Sequence, residues 1–492
     1  MKNTQRNTGL LAMRIMAIAF IIGIISCSKQ IKEDMLNQES GQISFGKLTV
    51  DRIGMSITDF GAVGDGKKDN YQAFVDAAAY ASTHENTTIN FPAGTYYIAK
   101  YRKIKNDPID HIRWENCQGL KLIGEPGTVI SMNGKFFRPL DYTTTDTHAK
   151  KSYTSGLSPF SFHNCNNLEI RNIEVTGNVQ KTTRLAGIDD NNPSVTESES
   201  NLLRFTKCDN VVMDQLYVHH AECDGIMISG DRINGVWINS TNITATNVRS
   251  FNNGRQGMSV GGLSKGYFKS CEFNSTGFTG GSYGRNDPSA GVDIEPGEFH
   301  NNDNIKFEDC AFENNFGGHF LCTAPTTTSN ITLLNCSVIT GIETPKLAGI
   351  TILAKNVLID GCIIKLGSRD IKFTNPKKPG STIKIRNCVI EGSDNCISTS
   401  SLDLTDSVEI SNNQFSYTKN VLTKNFLSLK TKNLQFLNNK VFIPAAALKT
   451  RPTGTHVLVQ NAVISKGNKF YSEDPARKPK VNYSGTLVVN DL

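Results

Sequence analysis

Two carboxylates stand two residues apart in Ala290-Gly291-Val292-Asp293-Ile294-Glu295. In a strand, Val292 and Ile294 point to one face, and Asp293 and Glu295 to the other, with Cα atoms about 6.6 to 7 Å apart. Neighbouring outward acids repel each other and need a partner or a use. Three related segments flank this one: Asp224-Gly225-Ile226-Met227-Ile228, Gln256-Gly257-Met258-Ser259-Val260 and Gly317-Gly318-His319-Phe320-Leu321. Aligned on a turn glycine, they bring Asp224, Arg255, Gln256 and His319 to the same column as Asp293 and Glu295. The stretch Gly277 to Ala290 reads as an inserted loop beside that column and carries Tyr283 and Arg285.

These residue types fit three chemistries. β-Elimination on a uronic-acid glycan needs donors or a cation on the sugar carboxylate and a base for the adjacent proton. Arg255 and Arg285 are the candidate cations, His319 or Tyr283 the candidate base, and Asp224, Asp293 and Glu295 a candidate Ca²⁺ set. Glycoside hydrolysis needs two carboxyl groups, which Asp293 and Glu295, or either with Asp224, supply. Binding without turnover is the third, with Asp224, Gln256 and Arg285 as contacts; it calls for exposed aromatic platforms, and the chain has only Trp114 and Trp237. His219-His220 beside Glu222 has metal-ligand residue types, but adjacent strand residues face opposite ways, so the spacing excludes a shared site.

The elements that must hold these residues follow from a register. Cys310, Cys336, Cys362 and Cys388 recur at a constant interval of 26 residues, each between a short β-branched run and an Asn-, Asp- or Gly-containing turn. Asn116-Cys117, Asn164-Cys165, Lys207-Cys208 and Ser270-Cys271 read as earlier copies at wider spacing. A fixed period in the twenties marks a solenoid of stacked repeats. Segments such as Leu168-Glu169-Ile170, Val236-Trp237-Ile238, Ile331-Thr332-Leu333 and Val408-Glu409-Ile410 bury every second side chain. Asn247, Asn253, Asn274, Asn314 and Asn315 fit left-handed turn positions. The expected fold is all-β, a parallel β-helix.

Near its start the chain reads Asp59-Phe60-Gly61-Ala62-Val63-Gly64-Asp65-Gly66, followed by a helix-like run from Asn70 to Ala81 and by Phe91-Pro92-Ala93-Gly94-Thr95-Tyr96-Tyr97-Ile98. This resembles the N-terminal signature of the pectate lyase superfamily. The resemblance implies a right-handed parallel β-helix that acts on a polysaccharide. A helix there shields the open edge of the first coil, with Ala73, Val75, Ala77, Ala78 and Ala81 as its contacts. The polygalacturonase-like motifs Asn-Thr-Asp, Asp-Asp on a strand, Gly-His-Gly and Arg-Ile-Lys do not occur in that form, nor does the Asp-Pro-His-Glu cluster of alginate epimerases; Asp189-Asp190 falls in a loop spanning 179–200. That absence places β-elimination ahead of hydrolysis.

Lys2, Arg6 and Arg14 precede the apolar run Ile15 to Ile25, which ends at Ser26-Cys27. This pattern describes an export signal over residues 1–26 and resembles a bacterial lipoprotein signal with Cys27 as the lipidated residue. Residues 27–50 form a polar tether, and 51–492 one solenoid domain, closing in a last coil and cap beyond Lys449. The expected location is the bacterial cell envelope, held to the membrane by lipid. Loss of the signal lowers the net charge from +6 to about +3, too small a bias to argue for nucleic acid. The other eleven cysteines are expected to fill the interior as a buried ladder rather than form a disulfide framework.

Overall fold

The computed structural model describes residues 54–100, 102–103, 111–134, 137–138, 154–181, 183–184, 200–277, 288–295, 301–323, 328–341, 349–368, 370–374, 382–401, 407–484 and 488–490. Cys27, Tyr283, Arg285, Asp189 and Asp190 lie outside the described residues, as do both proposed segments before residue 51. The described residues lie in one compact unit, Ile53–Leu492.

That unit is a right-handed parallel β-helix. A typical coil contributes a short strand, a longer strand and a third strand, as in Phe320–Cys322, Thr328–Leu334 and Ser337–Ile339. The first two strands of each coil join one continuous sheet, and the third joins a second sheet of 13 strands. The 26-residue period is the pairing register itself: Ile331 pairs with Val357 and Val357 with Ile383, while Ser337 pairs with Ile363 and Ile363 with Val389. Alternation does the rest. In Asn302–Glu308 the inward Ile305 and Phe307 are buried, whereas Lys306 is not.

In-register stacking puts like above like inside the helix. Phe162 and Phe205 stack at 5.3 Å between ring centroids, and Phe268 and Phe307 at 4.8 Å. Each such buried ring contributes about 1.5–3 kcal/mol of transfer free energy, and the offset faces add a further increment. At the open end, the helix Tyr71–Thr83 buries Ala73, Phe74, Ala77, Ala78 and Ala81. Phe74 reaches Phe91 and Phe160 of the first coils. Val75 of the expected contact set is only partly buried against the core. Parallel pairing continues past Lys449, through Val457–Lys466 to Val481–Ser484.

The register divides the cysteines into two columns, which the sequence reading had merged. Cys117, Cys165 and Cys208 stand before the second strand of their coils, since Gln118 bridges to Asn166 and Asn166 pairs with Asp209. Cys271, Cys310, Cys336, Cys362 and Cys388 stand before the third strand, as the pairing of Glu272 with Ala311 and of Ala311 with Ser337 shows. Both turns need a small interior group, so the same residue type recurs at each. All eleven cysteines among the described residues are buried and unpaired.

The second column changes chemistry after Cys388. Asn413, Asn439 and Asn468 continue it, each with its side-chain amide donating to a carbonyl of the preceding coil: Ile385 at 2.9 Å, Ile410 at 2.8 Å and Phe436 at 2.7 Å. Their carbonyl oxygens accept the backbone N–H of Cys388, Asn413 and Asn439. The turn asparagines proper lie elsewhere. Asn247 and Asn314 have left-handed backbone as expected, but at the other positions it falls on Asn252 and Ser275. Asn253 and Asn315 are instead buried and bond backbone of neighbouring coils, through Ala221 N and Thr276 N.

Two expectations fail locally. Val236-Trp237-Ile238 is not a coil strand but one arm of an antiparallel hairpin with Asp231–Ile233, turning on Asn234 and Gly235, both at positive φ. Asn-Gly is the favoured pair for such a turn, and Val236 is 64% exposed. His219 and His220 do not diverge, because His220 adopts φ 54° and breaks the alternation. Their Nδ1 atoms lie 2.6 Å apart.

Replacing Asn439 by Ala removes the donor to Ile410 and leaves buried backbone unpaired on both sides. A loss of about 2–4 kcal/mol is expected by denaturant unfolding. Asn439→Cys, which restores the residue type found upstream in the column, is expected to cost less.

Candidate active site

The short first strands of four consecutive coils build the site. Ile226, Met258, Val292 and Phe320 pair in sequence and point inward, and all are buried. The alternate column therefore faces outward and runs Met227, Ser259, Asp293, Leu321. Glu295 follows directly after the strand Val292–Ile294, two residues beyond Asp293, and is exposed.

Asp293 is on the expected face but is not exposed, with only 2% of its surface accessible. Gln256 Nε2 donates to its Oδ2 at 2.7 Å. Its Oδ1 and the Oε1 of Gln256 are buried with no donor among the described residues. Burial above all, with the neighbouring charges of Glu295 and Asp224, pushes the Asp293 carboxyl up to about 7 against the opposing pull of Arg255 and Gln256. Loss of hydration and like charge act in the same direction here, so a substantial share of the acid holds its proton near neutral pH.

Asp224 is fully buried, one coil before Gln256. Arg255 grips it with two bonds, Nε to Oδ1 at 2.8 Å and Nη2 to Oδ2 at 2.6 Å. Ser259 adds a third, Oγ to Oδ2 at 2.8 Å. The guanidinium fork matches a carboxylate in geometry and compensates the buried charge. Arg255 is thus committed within the protein.

His319 is not in the site column. Its backbone occupies the position filled by Gly291 in the preceding coil, because Phe320 pairs with Val292. A Cβ on Gly291 would meet Asn315 Nδ2 at 2.5 Å, and one on Gly225 would meet Ser250 Oγ at 2.1 Å. Side chains of this column therefore turn inward. The His319 ring is buried accordingly, with Nε2 at 2.6 Å from Thr340 Oγ1, just beyond the third strand of its own coil. The alignment on Gly318 was one residue out.

Of the expected Ca²⁺ set Asp224, Asp293 and Glu295, Asp224 is already engaged within the protein. The oxygens of Asp224 are taken by Arg255 and Ser259, and among the described residues no group of three or more His, Cys, Asp or Glu side chains is disposed to hold a metal ion. The structure thus brings together Asp224, Arg255, Gln256, Asp293 and Glu295, separates His319, and adds Ser259. The signal for Ser259 was its place one coil before Asp293 in the outward column.

A family model described as rhamnogalacturonase A/epimerase, pectate lyase-like, matches residues 54–283. The match takes in the Asp59 to Gly66 signature and the capping helix, and the parallel coils continue beyond it. Residues 54–283 are thus similar to the pectate lyase-like superfamily. The matched span ends before Asp293, so the match assigns no role to Asp293 or Glu295. No curated protein matches the chain. Several solved structures resemble it at 13–14% identity. The Agl-KA catalytic domain has a TM-score of 0.45 at 13% identity, over 90% of this chain and 69% of that one. The A-module of the Azotobacter vinelandii mannuronan C-5 epimerase AlgE6 has 0.41 at 14%, over 89% and 99%. The tailspike protein of E. coli bacteriophage HK620, solved in complex with pentasaccharide, has 0.44 at 14%, over 84% and 66%.

Truncating Arg255 to Ala would leave the Asp224 carboxylate buried without its cation. A loss of about 3–5 kcal/mol in unfolding free energy is expected, with a smaller loss for Arg255→Lys, which keeps the charge but not the fork.

Proposed function

We propose that the protein is a polysaccharide-acting enzyme that cleaves glycosidic bonds by hydrolysis at Asp293 and Glu295. One observation carries the reading: two carboxyl groups sit at successive outward positions of one strand, one buried with its carboxyl pushed up to about 7, the other exposed. That difference in environment is how a site divides the roles of acid and base between two like side chains. Asp293 donates its proton to the glycosidic oxygen as the bond to the anomeric carbon breaks. Water attacks that carbon, and its proton passes to Glu295. Gln256 orients the acid, and the Arg255–Asp224–Ser259 cluster fixes the strand beside it.

The β-elimination expected from the sequence asks for a cation available to the substrate and for a free base. Arg255 is bound to Asp224, His319 is bound to Thr340, and Tyr283 and Arg285 lie outside the described residues. Product analysis separates the two chemistries. Digestion of a panel of acidic and neutral polysaccharides is expected to release reducing ends without the ultraviolet band of unsaturated uronates; that band would establish elimination instead. Because Asp293 must be protonated, kcat/KM is expected to fall as pH rises through about 7. Asp293→Asn is expected to lower kcat by at least about 100-fold, with the fold retained by circular dichroism.

The same reading places the enzyme at the cell envelope, exported by residues 1–26 and anchored through a lipid on Cys27. Incorporation of labelled palmitate into the full chain is expected, with loss of the label in Cys27→Ser; a labelled Cys27→Ser chain would refute the anchor.

A further inference from the structure

Charge is distributed unevenly along the solenoid. Of 52 basic and 46 acidic residues, residues 412–492 hold 12 basic and 3 acidic, which leaves 40 basic against 43 acidic in the rest. The positive excess of the whole chain therefore belongs to its last coils. Among the described residues of that segment, both acids are already engaged. Glu473 accepts the N–H of Ala445, and Asp474 pairs with Arg477 and accepts from Ala476 N.

Part of this charge is organised. On the second sheet, Lys440–Phe442 and Lys469–Tyr471 are neighbouring parallel strands, with Lys440 opposite Lys469 and Phe442 opposite Tyr471. Val441 points inward and is buried, so the flanking residues face outward. Both lysines are exposed, Tyr471 is 46% exposed, and the two rings lie 5.5 Å apart between centroids. No carboxylate among the described residues pairs with either lysine. Like charges placed directly opposite across a pair of strands are destabilising. Protection of an exposed sheet edge accounts for a lysine on the terminal strand Lys469–Tyr471. It does not account for Lys440 one strand further in, or for the aromatic pair beside both.

We propose that this tile of two lysines and two rings is a second glycan-binding site, one that takes an acidic polysaccharide and is separate from the Asp293 strand. By coil count it lies about six coils, roughly 29 Å, along the axis from Asp293. The apolar face of a sugar ring rests on Tyr471 and Phe442, and its carboxylate or sulfate meets Lys440 and Lys469. Rings with one apolar face and a wet edge are suited to this contact. The coil spacing offers one lysine and one ring per step along the axis, which suits a chain that presents its charge in regular units. The choice of a glycan over another polyanion rests on the function proposed above.

The test is binding of the mature protein to polygalacturonate in affinity electrophoresis, with the carboxyl-reduced polymer as the neutral control. Retardation is expected only with the acidic polymer, weakened by added salt because the pairing is exposed. The charge reversal Lys440→Glu/Lys469→Glu is expected to weaken it about tenfold. Tyr471→Ala, an uncharged change at the surface, is expected to weaken it about threefold with the thermal midpoint unchanged. Asp293→Asn is expected to bind as the parent does, so loss of hydrolysis in the function test leaves this result standing. Absence of retardation, retardation unchanged in the lysine and tyrosine variants, or equal binding to a single-stranded oligonucleotide or to anionic vesicles would overturn the assignment.

Discussion

Everything in this molecule is subject to in-register stacking of parallel coils about 4.8 Å apart. Each interior position must suit the residues directly above and below it in the same column. Apolar columns meet this condition through alternation, and aromatic ladders such as Phe268 and Phe307 through face-on contact. The turn columns meet it with Cys or Asn, small groups that fit the corner and engage the neighbouring coil's backbone. The change from Cys388 to Asn413 shows that the corner tolerates either solution, provided the next coil supplies a matching partner.

The candidate site departs from that condition in a controlled way. Asp224 is a full charge placed where a coil would ordinarily put a neutral turn residue. It is held because Arg255 and Ser259 of the following coil converge on it. Among the described residues, Asp293, one further coil along, receives no such cation and one amide donor. The two buried acids differ by the partners that the adjacent coil offers. One is fixed as an ion pair and the other as an acid whose carboxyl is pushed up to about 7.

Much of the fold was legible because a solenoid repeats its evidence. The 26-residue interval is the strand register, and the Asp59 to Gly66 signature with its helix marks the capped end. Asp293 and Glu295 were legible from alternation alone. The failures arise where one residue leaves the pattern. A left-handed His220 turns two side chains toward each other that alternation would separate. Alignment on Gly318 displaced His319 by one position, and its true place opposite Gly291, ahead of the strand, turns the ring inward. The two cysteine columns share a residue type but belong to different turns, a distinction that spacing with inserted loops does not carry. Burial of Asp293 was equally hidden, because periodicity says which way a side chain points and not what covers it.

The thiol ladder gives the molecule a means of reporting its own motions. Thiols at Cys271, Cys310, Cys336, Cys362 and Cys388 mark five successive coils, each sealed from solvent. Only a coil that opens can present its sulfur to an alkylating reagent, and the rate of capture then measures how often that coil opens. The column is in effect a graduated scale along the axis, on which fraying from an end and opening in the middle leave different orders of modification.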